Sequence, residues 1–180
     1  MGLDYSFGPH YYNSNIGNPF VGSFNLSYEY VLKKHFGVEI GAKCGGFYQN
    51  IEYGENEFKE YHEIYKGHSF SPFISPKFYY SIYNYDKFEH HGQIFLSIKL
   101  LYSFSKLKLD RITDYTGSSE KSHFNYEIKV GYEYPIDKDW RMSFWGGYNS
   151  FNFSKINPSI IKFKNSTPIQ IGIGFHYLFL

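Results

Sequence analysis

The sequence predicts an all-β protein, an eight-stranded antiparallel up-and-down transmembrane β-barrel. Three observations predict it. Apolar and polar residues alternate with period two along almost all of the 180 residues, with no helical stripe. The alternating segments number eight, and the links between them are short on one side and mostly long on the other. The composition is rich in aromatics and glycine, with 20 Tyr, 19 Phe, 2 Trp and 17 Gly, which favours strands over a helical core.

The segments follow in order. The first, roughly 2–12, places Leu3, Tyr5, Phe7, Pro9 and Tyr11 on one face. The second, 19–32, does the same with Phe20, Gly22, Phe24, Leu26, Tyr28, Tyr30 and Leu32. The third, 36–49, uses Phe36, Val38, Ile40, Ala42 and Cys44. The fourth, 68–83, is the least regular, because Pro72 and Pro76 fall on its apolar face and proline cannot donate to a ladder. A bulge or a late start is expected there. The fifth, 91–105, carries Ile94, Leu96, Ile98, Leu100, Tyr102 and Phe104. The sixth, 122–134, carries Phe124, Tyr126, Ile128, Val130, Tyr132 and Tyr134. The seventh is 140–153. The eighth, 167–180, uses Ile169, Ile171, Ile173, Phe175, Tyr177 and Phe179.

The short links are Lys33–His35, Asn84–His90 and Pro135–Asp139; the others are 13–18, 50–67, 106–121 and 154–166. With an even number of strands, both chain ends fall on the short-turn side. No linker or composition break divides the chain, so residues 1–180 read as one domain.

The apolar faces named above carry no charge. The opposite faces carry Asp4, Glu29, Glu39, Lys43, Lys77, Lys99, Glu127, Lys129, Glu133 and Arg141, five acids and five bases, among many serines and asparagines. Two architectures share this pattern. A soluble ligand-binding barrel turns the apolar face inward, whereas a membrane barrel turns it toward lipid and lines its interior with the charges. Small residues decide for the membrane. Gly37, Gly41, Gly45, Gly131, Gly147, Gly172 and Gly174 crowd the polar face, as a narrow interior requires and a solvated surface does not. Aromatics gather at both ends of the apolar face, as at two water–lipid interfaces. Eight uncharged apolar faces would also overfill a soluble core of this size. An interior of eight strands is just wide enough for side chains, so balanced charges there predict an ion-paired plug.

Function classes narrow accordingly. Lys and Arg number 18 against 17 Asp and Glu, a net charge of +1, which gives no footprint for nucleic acid. The single cysteine, Cys44, excludes a multi-cysteine metal site. No apolar run reaches the ~18 residues of a membrane helix. The N-terminus lacks a charged start with an apolar core, so a secretory signal is expected to have been removed already. Eight histidines show no metal-ligand spacing; neither metal nor cofactor is expected.

At the C-terminus, Gln170, Gly172, Phe175 and Tyr177 resemble the terminal strand signal of bacterial outer-membrane barrels, with the final aromatic displaced by one to Phe179. The whole chain resembles the small eight-stranded outer-membrane barrels of the OmpX/OmpA type. The resemblance implies the bacterial outer membrane as location, contact with membrane lipid and lipopolysaccharide, and insertion by the barrel-assembly machinery. Other envelope proteins become candidate partners, and the expected role is that of a non-enzymatic structural or surface-interaction protein, or an accessory subunit of an envelope complex. The competing reading is a lipid-modifying outer-membrane enzyme. Lipid A deacylases of similar size place a Ser/His pair and a carboxylate on the lipid face; the apolar positions listed above hold no histidine and no carboxylate, and no His-x-Ser pairing of that family is visible, so no catalytic residue is assigned. The link 50–67 is the most distinctive exposed segment. Its Glu52, Glu55, Glu57, Glu60 and Glu63 alternate with Tyr53, Phe58, Tyr61 and Tyr65, a composition suited to protein binding. It reads as an extension of strands three and four above the membrane.

Overall fold

The computed structural model describes residues 2–7, 20–33, 35–54, 60–81, 92–111, 116–137, 139–151, 156 and 169–177. Its elements are β1 Gly2–Phe7, β2 Phe20–Lys33, β3 Phe36–Gly54, β4 Glu60–Ser81, β5 Gln93–Arg111, β6 Thr116–Pro135, β7 Trp140–Asn149 and β8 Ile169–Tyr177. Each strand pairs antiparallel with the next, and β1 also pairs with β8, so the sheet closes into a barrel. Closure leaves no sheet edge within the bilayer, which a spanning sheet requires because lipid offers backbone groups no partner.

The alternation sorts side chains as a membrane barrel does. Leu96, Leu100, Ile128, Val130, Phe144, Ile171 and Phe175 stand exposed on the outer wall. Their strand neighbours Ser97, Lys99, Glu127, Lys129 and Ser143 are buried inside. The Ile94–Phe104 face points outward, so a soluble barrel with an apolar core is not what this chain forms. Rings cluster at both ends of the wall. Trp140 meets Tyr177 edge-on at 5.1 Å and Phe36 meets Phe78 at 5.2 Å near the terminal end. At the other end, Tyr102 packs edge-on against Phe104 and Phe124 at 5.1 and 4.8 Å.

Small residues on the inner face have a steric cause. A Cβ on Gly131 would lie 2.5 Å from the Phe144 carbonyl oxygen and 2.6 Å from the Phe95 ring. On Gly41 it would collide with the Leu26 carbonyl and lie 2.8 Å from the Ser27 Cα.

Three expectations change. First, the link at 106–121 is mostly strand, whereas the strand extension expected at 50–67 is found. β3 and β4 stay in register up to Gly54↔Glu60, and β5 and β6 up to Asp110↔Thr116. Hydrophobic alternation ends where lipid ends, but backbone pairing continues above it. Conversely, β7 ends at Asn149, short of the expected 153; residues 8–12 of the first expected segment lie outside the described residues. Second, β4 has neither a bulge nor a late start. Its register with β5 is unshifted, but the ladder has gaps at 71–72 and 75–76, beside Pro72 and Pro76. The missing N–H groups therefore cost bonds on the β5 side alone; the β3 ladder runs through unbroken. Third, Tyr65 was expected on an exposed binding surface and is buried, only 2% exposed. It shares the inward parity of Phe73 and Tyr79, which persists as β4 rises above the wall.

Candidate functional site

The barrel interior concentrates the ionisable chemistry, in two groups. Toward the terminal end, Lys77 of β4 is the hub. Its Nζ lies 2.5 Å from Glu133 Oε1 and 3.1 Å from Glu29 Oε2, with the Tyr79 and Phe95 rings 5.0 and 4.6 Å away. The Tyr79 hydroxyl donates to Glu29. Glu133 also accepts from Gln93 at 3.3 Å and faces Arg141 at 3.5 Å.

Nearer the long-loop end, Glu127 lies between Lys43 and Lys129, the latter at 3.0 Å. Lys43 also donates to Gln170 at 3.3 Å. Lys99 reaches Glu39 at 3.2 Å and sits 3.9 Å from the Phe73 ring centre, while Lys129 sits 3.6 Å from that of Trp145. Glu29 and Glu39 are direct cross-strand partners, a like-charge placement that costs stability unless compensated. Each is compensated by a different lysine, Lys77 and Lys99. Serine pairs fill the remaining width, Ser75 with Ser97 at 2.8 Å and Ser71 with Ser103 at 2.7 Å.

Of the ten interior charges read from the sequence, nine are placed by the structure on the inner face, Arg141 being the most exposed of them at the rim. The Asp4 side chain lies outside the described residues. A cavity of about 30 Å³ between Ser23, Lys43, Ser71 and Asn149 has room for only about two water molecules. Above it, Leu107 and Leu109 on the inner face of β5 are buried, as is Ile156. Below, Tyr79, Phe95 and Trp145 form an apolar cluster. The interior is packed, ion-paired and capped by apolar side chains.

Sequence reading missed one arrangement. His176 Nε2 lies 3.1 Å from Ser143 Oγ and 4.0 Å from Glu133 Oε1. Serine, histidine and carboxylate are all present, but the same ring nitrogen faces both partners. A charge-relay set needs opposite nitrogens, and all three residues are buried. The contact ties β7 to β8. Direct Arg141↔His176 and Ser143↔Gly174 pairing was the signal available, once the parity of both strands was known. Glu29, Glu133 and His176 also bring three donor atoms within 4.8 Å of one another. The Lys77 ammonium already bridges the two carboxylates, in the place a metal cation would take.

Among the residues matched to the terminal strand signal, Gln170 faces Lys43, Gly172 lies within β8, Phe175 is on the outer wall and Tyr177 joins the ring contact with Trp140. Phe179 lies outside the described residues. In the 50–67 link, Glu52, Tyr53, Glu60, Tyr61 and Glu63 occupy strand positions in the β3–β4 extension; Glu55, Glu57 and Phe58 lie outside the described residues. Cys44 is exposed on the outer wall. On the outer face above the rings, Lys106 donates to Glu120 at 2.5 Å, and this bond, with the lysine charge, holds the Glu120 carboxyl below the usual carboxylate range.

A closed antiparallel barrel with a lipid-compatible wall and a charged interior defines a transmembrane β-barrel. No protein-family model matches the chain, and no curated protein matches it in sequence. Solved structures do. Neisserial surface protein A superimposes with a TM-score of 0.53 at 12% identity, covering 99% of this chain and 95% of that one. Ail, the attachment invasion locus protein of Yersinia pestis, gives 0.48 at 17% identity over 98% and 94%. Both are small outer-membrane β-barrels. The chain has the fold of the small bacterial outer-membrane barrels.

Proposed function

We propose that this chain is a non-enzymatic protein of the bacterial outer membrane that acts through its exposed surface. One observation supports the reading above all: the wall rises unevenly. β3 continues to Gly54, beyond the last β2 pairing at Phe20↔Tyr48. β6 begins at Thr116, whereas its β7 pairing begins at Glu127↔Asn149. β3 to β6 therefore form a four-stranded sheet above the barrel, and among the described residues no strand pairs with its two outer edges. Unpaired edges are templates for another chain. The packed interior offers no comparable site, so specific recognition falls to this projecting sheet and its acidic, tyrosine-rich β3–β4 tip. Partners of this kind are other envelope or surface proteins, and the barrel-assembly machinery would insert the chain.

The test replaces Glu52–His62 with a two-residue Asn-Gly turn. Ile51 and Glu63 are directly paired, so the new turn closes an existing ladder in its preferred geometry. The shortened protein is expected to insert normally and to lose proteins captured by the full chain in mild detergent. A partner that remains bound would move the interface to the barrel wall and favour an accessory-subunit role.

A further inference from the structure

Gly22 and Gly46 are cross-strand partners on the outer faces of β2 and β3, and Gly46 is paired in turn with His68 of β4. Two missing side chains in one row leave a notch in the wall. The notch is an open, mainly apolar groove of about 500 Å³. Phe24 and Cys44 bound it on the membrane side, and Tyr48 and Lys66 on the loop side. Its floor is backbone, and a Cβ at Gly46 would meet nothing within 4 Å.

The end of the groove on β4 is basic. His68 lies there, directly opposite Lys106, and Lys66 lies directly opposite Lys108. All four side chains are exposed on the outer face. Like charges placed directly opposite each other on one face of a sheet are destabilising. Lys66 finds Asp110 at 3.5 Å and Lys106 finds Glu120. Lys108 and His68 have no ion-pair partner among the described residues. Below this block the wall turns apolar at Phe70 and Phe104, so the basic end sits where a membrane surface lies and the groove runs from it into the lipid-facing band.

We propose that the groove is a lipid site. It seats one acyl chain over Gly22 and Gly46, and the lipid's phosphate rests on Lys66, His68, Lys106 and Lys108. The occupant is a phosphorylated lipid of the leaflet at the long-loop end. Charge complementarity selects its headgroup, and the apolar floor selects its chain. This rests on the membrane reading above and adds to it a defined stoichiometry, one tightly held lipid per barrel.

The test measures retention of diphosphorylated lipid A by the full chain in neutral detergent, using native mass spectrometry. Gly46→Leu fills the groove without a backbone clash. Gly146→Leu adds the same side chain to the outer face of β7, where a Cβ meets only the Gln170 carbonyl at 4.0 Å. Wild type and Gly146→Leu are expected to retain one lipid A. Gly46→Leu excludes about two methylenes of chain and should retain it about tenfold less tightly. Lys66→Gln/Lys108→Gln should lose a similar factor. Equal retention in all four proteins, each a heat-modifiable barrel, would overturn the groove alone. Loss in the lysine variant without loss in Gly46→Leu would also overturn it, since that describes a headgroup patch with no chain seat. A chain that forms no heat-modifiable barrel would defeat the membrane reading and the groove with it.

Discussion

Replacing Lys77 with methionine should destabilise the barrel more than any other single change to the interior. The perturbation is chosen for shape. Methionine fills the stem's volume between the Tyr79 and Phe95 rings but leaves Glu29 and Glu133 with no shared cation. The lysine contacts at 2.5 and 3.1 Å are each worth about 5–7 kcal/mol at an effective dielectric of ~20, before desolvation. Desolvation offsets much of that sum. Removing one partner of a buried pair therefore costs about 3–5 kcal/mol, mostly because the remaining charge is stranded. That is roughly a hundred- to several-thousand-fold in the unfolding equilibrium. Urea unfolding in detergent micelles, followed by the fluorescence of Trp140 and Trp145, reads it directly. Lys77→Met/Glu133→Gln should be less destabilised than the two single variants added together, with a coupling of about 1–3 kcal/mol. A Lys77→Met variant as stable as wild type, or strictly additive effects, would refute the ion-paired plug.

Further outcomes follow from the same geometry. Ile98→Arg puts a charge on the lipid face near mid-strand, costs about 2–4 kcal/mol and should block insertion in a heat-modifiability gel. Lys99→Leu, one residue on, removes the Glu39 ion pair and should insert but unfold at lower urea. Gly131→Val forces a side chain against the Phe95 ring and the Phe144 carbonyl, and should cost at least the ~1–3 kcal/mol of ordinary overpacking in the same unfolding assay. Purified protein in planar bilayers should show no steady, porin-like conductance; a stable open channel would contradict the packed interior.

Much of the fold was legible because one rule governs it. A residue's parity within its strand decides whether it meets lipid or the interior, so Ile98 and Lys99 could be assigned opposite faces from sequence alone. The extension of β5 and β6 above the membrane was not legible for the same reason. Lys106, Lys108 and Glu120 face outward like Phe104 and Phe124, but they face water, and a polar outer face looks like a loop. Tyr65 was misread because its inward parity was not followed past the membrane boundary. The pairing of particular charges was also hidden. Parity puts Lys77, Glu29 and Glu133 inside, but which strands they face across the barrel depends on the stagger between strands. The groove at Gly22 and Gly46 was visible only as two small residues on apolar faces, and their alignment in one row depends on register.

Lipid exposure along β5 tests the central claim most directly. With Cys44 replaced by serine, single cysteines at positions 96–101 carry spin labels in reconstituted bilayers, and collision with oxygen, which concentrates in lipid, is measured for each. The account predicts high oxygen access at Leu96, Ile98 and Leu100 and low access at Ser97, Lys99 and Leu101, in strict alternation. High access at the odd positions, or none of the six showing lipid exposure, would contradict it.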